Sequence, residues 1–156
     1  MNDSSRYQAG VGERVQYLVH DFNDNTIRFI LHYPGIPDSA VLSLAVKAVI
    51  DEAVVLHSSF GTGPVHAFWE LNREYEEKDY FRLTETEEPL MKKACEIASL
   101  PILSTDKVQL RCHLVLKKDN HREIGQVQTG EDGESILVVN ISHLCVDGSD
   151  GKYLLA

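Results

Sequence analysis

The most informative segment of the chain is Val138-Val139-Asn140-Ile141-Ser142-His143-Leu144-Cys145-Val146-Asp147-Gly148. Its first part is a run of strand-forming apolar residues, which indicates a buried strand over residues 135–142. The Asp-Gly pair predicts a tight turn directly after that strand. A histidine between a rigid strand and a turn is well placed to meet a ligand, and an imidazole in water titrates at about pH 6.5. His143 is therefore the first candidate for a residue that accepts and returns protons.

Further strands are predicted from short runs rich in β-branched and aromatic residues. They cover residues 26–33, 65–71 and 108–116, with a break at residues 34–37 and a loop at residues 61–64. A short strand over residues 124–128 is predicted to belong to a hairpin that turns at Asp132-Gly133. Together with the helices described next, these strands predict an α+β fold, with a mixed or largely antiparallel sheet flanked by helices.

Two segments show helical periodicity. The first covers residues 38–55, begins with Asp38 or Ser39 as its cap, and predicts one core-facing stripe. The members of that stripe are Val41, Leu44, Ala45, Ala48 and Val49. The second begins with a possible capping box of Thr84 and Glu87 and ends near Ser99, before Pro101. Its predicted inward residues are Leu90, Ala94, Ile97 and Ala98.

Composition narrows the class of protein. The chain has 156 residues, enough for one domain with a substantial core. Its net charge of -9 argues against a nucleic-acid partner, and no run approaches the roughly 20 apolar residues of a membrane span. The three cysteines are widely spaced, so reduced thiols in the cytoplasm are expected rather than disulfides. Residues 1–14 are interpreted as a flexible N-terminal tail without the apolar core of a signal peptide.

The segment from His143 to Gly148 resembles the His-x-x-x-Asp-Gly signature of the chloramphenicol acetyltransferase-like superfamily. That superfamily includes condensation domains of nonribosomal peptide synthetases, alcohol O-acyltransferases and polyketide-associated acyltransferases. The order of elements before the signature is also similar, including Leu56-His57-Ser58-Ser59-Phe60 where condensation domains have a Leu-Arg-Thr-x-Phe-like segment. The resemblance covers residues 15–156 and implies the N-terminal lobe of an acyltransferase or condensation-like domain.

The resemblance also implies a chemistry and a role for each motif residue. His143 would be the general base that activates a hydroxyl or amine acceptor for attack on an acyl thioester. Asp147 would be structural, forming a salt bridge that holds the motif loop, and Gly148 would permit its tight turn. The donor would be a thioester of coenzyme A or of a carrier-protein phosphopantetheine arm, with no tightly bound cofactor and no metal.

Some positions depart from the family pattern. Ser142 replaces the first of the two histidines found in many condensation domains, and Glu52 and His57 stand where those domains have arginines. Asp147 therefore lacks its expected partner, for which Arg28 or Arg111 could substitute. These departures leave open a second hypothesis, a non-catalytic condensation-like module that binds a carrier protein or a partner chain.

The end of the sequence predicts an incomplete unit. The segment from Asp150 to Ala156 looks like the opening of a helix, and in the family a helix and then a second lobe follow the motif. The chain alone is expected to lack acyltransferase turnover and to self-associate through Tyr153, Leu154 and Leu155. A trimer whose subunits complete each other's substrate tunnel is a weaker alternative.

Two other chemistries are conceivable at the motif. His143, Cys145 and Asp147 alternate, so on an extended strand they would share a face and could suggest a zinc site. The Asp-Gly turn is expected to break that alternation, and no second group of ligands is visible. Cys145 as a nucleophile is also disfavoured, because a cysteine buried on a strand is usually an inert packing residue.

Overall fold

The structure is a computed structural model, and it describes residues 5–19, 24–63, 66–118 and 130–146. The strands are β1 (Arg6–Gln8), β2 (Thr26–Ile36), β3 (Ser58–Thr62), β4 (Ala67–Leu71), β5 (Phe81–Thr86), β6 (Leu110–Lys117) and β7 (Gly130–Ser142). The helices are α1 (Val11–Leu18), α2 (Ser39–Glu52), α3 (Glu77–Tyr80) and α4 (Leu90–Ala98), with a 3-10 turn at Val54–His57.

The strands form two sheets. The main sheet has the order β2-β7-β6-β5, and the small sheet has the order β1-β4-β3. In the main sheet β7 pairs antiparallel with β2 and with β6, whereas β5 pairs parallel with β6. The predicted α+β fold with a mixed sheet is therefore confirmed, and the motif strand β7 lies between two neighbours.

Both faces of β7 are covered, which explains its unbroken apolar run. Leu137, Val139 and Ile141 pack in the core that includes residues of α2, and Ile136 and Val138 pack in the core that includes residues of α4. The prediction of a buried motif strand is confirmed. The predicted inward face of the second helix is confirmed too, because its four members lie in or against the α4 core.

The predicted core-facing stripe of α2 is wrong for most of its members. Val41 and Leu44 are 64% and 68% exposed, while the buried residues of the helix are Ser43, Val46 and Ile50. The helix is apolar on nearly every side, so periodicity alone could not choose the inner face. Its start is as predicted, since the Asp38 carboxylate accepts hydrogen bonds from the N–H groups of residues 40 and 41.

One predicted break and one predicted turn lie inside strands. β2 continues through Pro34 and Gly35, with a register irregularity between Pro34 and Ile36. An edge strand tolerates a proline, and Gly35 adopts a positive φ of 112° that an L side chain would disfavour. Asp132 and Gly133 belong to β7 rather than to a hairpin turn. The predicted strand over residues 124–128 lies outside the described residues.

The predicted capping box of Thr84 and Glu87 is also wrong. Thr84 lies in β5, opposite Val115 of β6, and α4 begins only after Pro89. The charged sequence of this edge strand conceals it from a periodicity argument. Gly61 and Thr62 of the predicted loop at residues 61–64 belong to β3, and Pro64 lies outside the described residues.

The N-terminal residues differ from the interpretation of residues 1–14 as a flexible tail. Within the described part of that range, β1 pairs antiparallel with β4 and α1 begins at Val11. The Ala9 N–H donates to the carbonyl of Ala67 at 3.1 Å, which extends the contact beyond the strand. Among the described helices none is long and apolar enough to cross a membrane.

Candidate functional site at the end of the motif strand

The backbone on both sides of His143 is fixed by hydrogen bonds from neighbouring segments. The Ser142 N–H donates to the carbonyl of Gln109 at 2.9 Å, and the His143 N–H donates to the carbonyl of Asn25 at 2.7 Å. The Cys145 N–H then donates to the carbonyl of Ser142 at 3.0 Å, which closes a turn. His143 therefore stands at the end of the strand, as the sequence predicts, and at the start of this turn; the turn predicted at Asp147-Gly148 lies outside the described residues.

The turn packs against a small aromatic core. Leu144 is buried there together with Ala9, Phe60 and Trp69. The rings of Phe60 and Trp69 meet edge to face at 5.0 Å, and the ring of Tyr17 lies 4.8 Å from that of Phe60. Residues of the small sheet and of α1 therefore pack around Leu144, the residue that follows His143.

One hydrogen bond ties α1 to this core. The Trp69 Nε1–H donates to Glu13 Oε1 at 3.0 Å, and Trp69 is fully buried. A buried indole N–H without a partner would be costly, so the Glu13 carboxylate satisfies the one polar group of the ring. No motif in the sequence singled out this pair.

The loop between α4 and β6 forms a wall beside the strand end. Gln109, which is fully buried, donates from Nε2 to the carbonyl of Asp106 at 2.8 Å. Its own backbone carbonyl is the acceptor of the Ser142 N–H described above. One residue therefore holds both the loop and the strand end, and sequence reasoning missed it because a lone glutamine carries no motif.

The described residues account for only part of the surroundings of the His143 ring. The residue is half-buried, and its Nδ1 is shielded from water with no hydrogen-bond partner among the described residues. An imidazole that works as a base through one nitrogen is normally oriented by a hydrogen bond at the other. Among the described residues no group fills that role for Nδ1.

A cavity of about 470 Å3, named here the strand-end cavity, lies at the end of the motif strand, and His143 itself is not among the residues that line it. Its lining includes Ser142 and Leu144, the two residues that flank His143, and Asn25, whose carbonyl accepts the His143 N–H. The opposite wall is the loop of residues 99–105. The volume lies in the range of small-molecule sites.

Several solved structures are similar to this chain. The starter condensation domain of rhizomide synthetase RzmA has a TM-score of 0.70 and 14% identity over 97% of this chain. The structure on condensation domain-mediated chain release from the enacyloxin polyketide synthase has a TM-score of 0.67 and 17% identity over 99% of it. Tallysomycin biosynthesis protein TlmII has a TM-score of 0.70 and 14% identity over 96% of it.

The chain has the fold of one condensation-domain lobe. The predicted resemblance to the chloramphenicol acetyltransferase-like fold is thereby confirmed. The lobe spans only about a third of the chains it matches, 36%, 30% and 36% of the three named above. No protein-family model matches this sequence, and no curated protein does.

Two motif residues lie outside the described residues of the lobe, Asp147 and Gly148. Both arginines offered as partners for Asp147 have other contacts. Arg28 donates to the Ala98 carbonyl and the Asp24 carboxylate, and Arg111 forms an ion pair with Asp106 at 2.6 Å. The salt bridge of Asp147 stays a prediction.

The cysteine of the motif turn is poorly suited to nucleophilic chemistry. The Cys145 Sγ donates to the carbonyl of Val55 at 3.7 Å, and burial raises the pKa of this thiol. Burial likewise raises the pKa of Cys112 to about 12. Within residues 5–19, 24–63, 66–118 and 130–146 no three His, Cys, Asp or Glu side chains are grouped to hold a metal ion.

Thiol reactivity should follow this difference in burial. With Ellman's reagent at pH 8, the exposed Cys95 is expected to react fast, while Cys112 and Cys145 react only as the protein unfolds, because the thiolate is the reactive form. The Cys95→Ser variant is the control and should lose the fast phase. A fast-reacting thiol that persists in Cys95→Ser would show that one of the buried sulfurs is accessible and activated.

Proposed function

We propose that the chain is the N-terminal lobe of a condensation-type acyltransferase in which His143 is the general base. The observation that carries this proposal is the position of His143 in a condensation fold, at the anchored end of the central motif strand and between two residues that line a cavity. A strand end of this kind holds a base in place with little freedom, as proton transfer requires.

The reaction is a direct transfer. The acceptor hydroxyl or amine attacks the thioester carbonyl while Nε2 of His143 takes its proton, since Nδ1 is shielded. The tetrahedral intermediate then collapses, the carbon–sulfur bond breaks, and the leaving thiolate takes the proton back from the imidazolium. The products are an ester or amide and a free thiol, and the histidine is regenerated without a covalent acyl-enzyme.

The fold and its neighbours support an acyl thioester as the class of donor. One similar structure is described as a mutant of the RzmA starter condensation domain in complex with C8-CoA, and another as a double mutant of the same domain in complex with C8-CoA and Leu-SNAC. These complexes support an acyl thioester of coenzyme A or of a carrier protein as the donor for this lobe. The acceptor is a small molecule with a hydroxyl or amine.

A second lobe completes the site in this proposal. The matched solved chains are about three times as long as this one, so the other wall of the substrate tunnel lies beyond it. We infer that the lobe acts with a C-terminal lobe or with a partner chain. A location in the cytoplasm stays a prediction.

The test is a transfer assay on the complete protein with its second lobe. Octanoyl-coenzyme A and an octanoyl carrier protein are each supplied with a panel of amines and alcohols, and the products are read by mass spectrometry. We expect ester or amide products with wild type and none above background with His143→Ala. If both variants fail to transfer and bind the carrier protein equally well, the lobe is a non-catalytic binding module instead.

A further inference from the structure

The outer face of α2 is apolar and uncovered. Val41 and Leu44 are 64% and 68% exposed, and Ala45 and Ala48 are exposed beside them. These four residues, named here the outer stripe, follow the spacing of three and four at which helical side chains share one face. The opposite face of the helix packs in the core. A helix that is apolar on opposite faces is normally covered on both, so the outer stripe is suited to contact with another protein segment.

The spacing of the outer stripe fits a second helix. Its positions i, i+3, i+4 and i+7 form the kind of seam along which two helices pack side by side. Two large side chains come first and two alanines follow, which leaves room for a partner helix to approach closely. Since α2 has 14 residues, the seam extends over about 20 Å. The stripe therefore favours an amphipathic helix as its partner.

The charges at the ends of the outer stripe restrict which helix can bind. Asp38 precedes the stripe by three residues and Glu52 follows it by four, so these two exposed carboxylates lie in line with it. Lys47 is the one cation within α2, all of whose residues are described, and it forms an ion pair with Asp51 at 2.6 Å. The stripe is therefore bounded by a negative charge at each end.

These end charges disfavour a second copy of α2 as the partner. In a parallel pair Asp38 would face Asp38 and Glu52 would face Glu52, and in an antiparallel pair centred on the stripe Asp38 would face Glu52. Like charges at facing positions destabilise a complex, and the net charge of -9 adds a general repulsion between copies. The complementary partner is a helix with a basic residue near each end.

We propose that the outer stripe of α2 binds an amphipathic helix of a partner protein, with an apolar seam and a lysine or arginine near each end. The seam packs on Val41 and Leu44, and the two cations pair with Asp38 and Glu52. α2 packs on one face of the main sheet and α4 on the other, and the residues that line the strand-end cavity do not include any of α2. The docking surface is therefore separate from the candidate site and does not depend on the proposed function.

The test measures binding of synthetic peptides to the complete protein by fluorescence anisotropy. The probe is a labelled helical peptide of about 18 residues with a leucine seam and a lysine near each end, and the matched peptide has glutamates at those two positions. We expect the acidic-ended peptide to bind at least about tenfold more weakly than the basic-ended one. Leu44→Glu should weaken binding of the basic-ended peptide at least about tenfold. Met91→Glu, at an apolar side chain of α4 that is 51% exposed, is the matched control and should bind as wild type.

The end charges are tested by a double variant, Asp38→Asn with Glu52→Gln. Asparagine caps a helix as well as aspartate does, so the charges are removed while the cap is kept. This variant should bind the basic-ended peptide about two- to tenfold more weakly, and its affinity should depend less on salt.

Equal binding of the two peptides, failure of both to bind, or unchanged binding by a folded Leu44→Glu protein would overturn the proposal. Sedimentation velocity tests the competing occupant. A wild-type protein that is dimeric, and that becomes monomeric in Leu44→Glu, would show that a second copy covers the outer stripe and would overturn the proposal as well.

Discussion

In the complete protein, His143→Ala is expected to lower the rate of acyl transfer by about 10²- to 10⁴-fold, the usual contribution of a positioned general base. Without the imidazole the acceptor must lose its proton to water as it attacks, so the maximal rate should fall more than the affinity for the donor. The fold should persist, because the neighbouring contacts of His143 are made through its backbone N–H.

The matched control is His66→Ala, since His66 is exposed and its described contact is through its carbonyl oxygen. Transfer rates at saturating donor, together with circular dichroism of each variant, make the comparison. Transfer by a folded His143→Ala protein within about threefold of wild type would remove this histidine from the chemistry.

The second large effect is on stability. Trp69→Ala should lower the free energy of unfolding by about 3–5 kcal/mol, because it removes a fully buried ring from the small aromatic core. That loss is a large share of a typical total of about 5–15 kcal/mol. Leu144 packs on the same core, so the turn that carries His143 should loosen as well.

Urea unfolding followed by circular dichroism measures the effect, and Trp69→Phe is the control. The phenylalanine keeps most of the packing but leaves Glu13 without its indole donor, a loss of about 1–3 kcal/mol. A change below about 1 kcal/mol in Trp69→Ala would mean that this core does not support the motif turn.

The sequence predicted the elements whose burial leaves a simple pattern. β7 is apolar along its length because it is buried on both faces, and α4 shows a clear inner face of Ala94, Ile97 and Ala98. The histidine at the end of β7 follows from the same pattern. The predicted fold class could therefore be reached from the motif strand and its order among the other elements.

The parts of the fold that were not predicted depend on contacts between residues that are distant in sequence. The inner face of α2 is set by the sheet it meets, and the pairing of β5 depends on β6, about 30 residues later in the chain. β1 pairs with β4, and its Arg6 and the partner Glu70 are more than 60 positions apart in the sequence. Local periodicity carries no information on such partners.

The residues that support the candidate site could not be identified from the sequence for the same reason. The backbone carbonyl of Gln109 accepts the Ser142 N–H, and the indole N–H of Trp69 donates to Glu13. In both cases the partner lies in another element. Their residue types form no motif. Buried polar side chains that must be satisfied are the signal that finds them once a structure is known.

A crystal structure of the complete protein would test whether His143 is the base of a condensation-type site. The protein is crystallised with a non-hydrolysable octanoyl thioether analogue of octanoyl-coenzyme A and the acceptor identified in the transfer assay. We predict that His143 Nε2 lies about 2.6–3.2 Å from the attacking oxygen or nitrogen. An acceptor bound more than about 6 Å from both ring nitrogens of His143, or one that another side chain contacts at its attacking atom, would contradict the account.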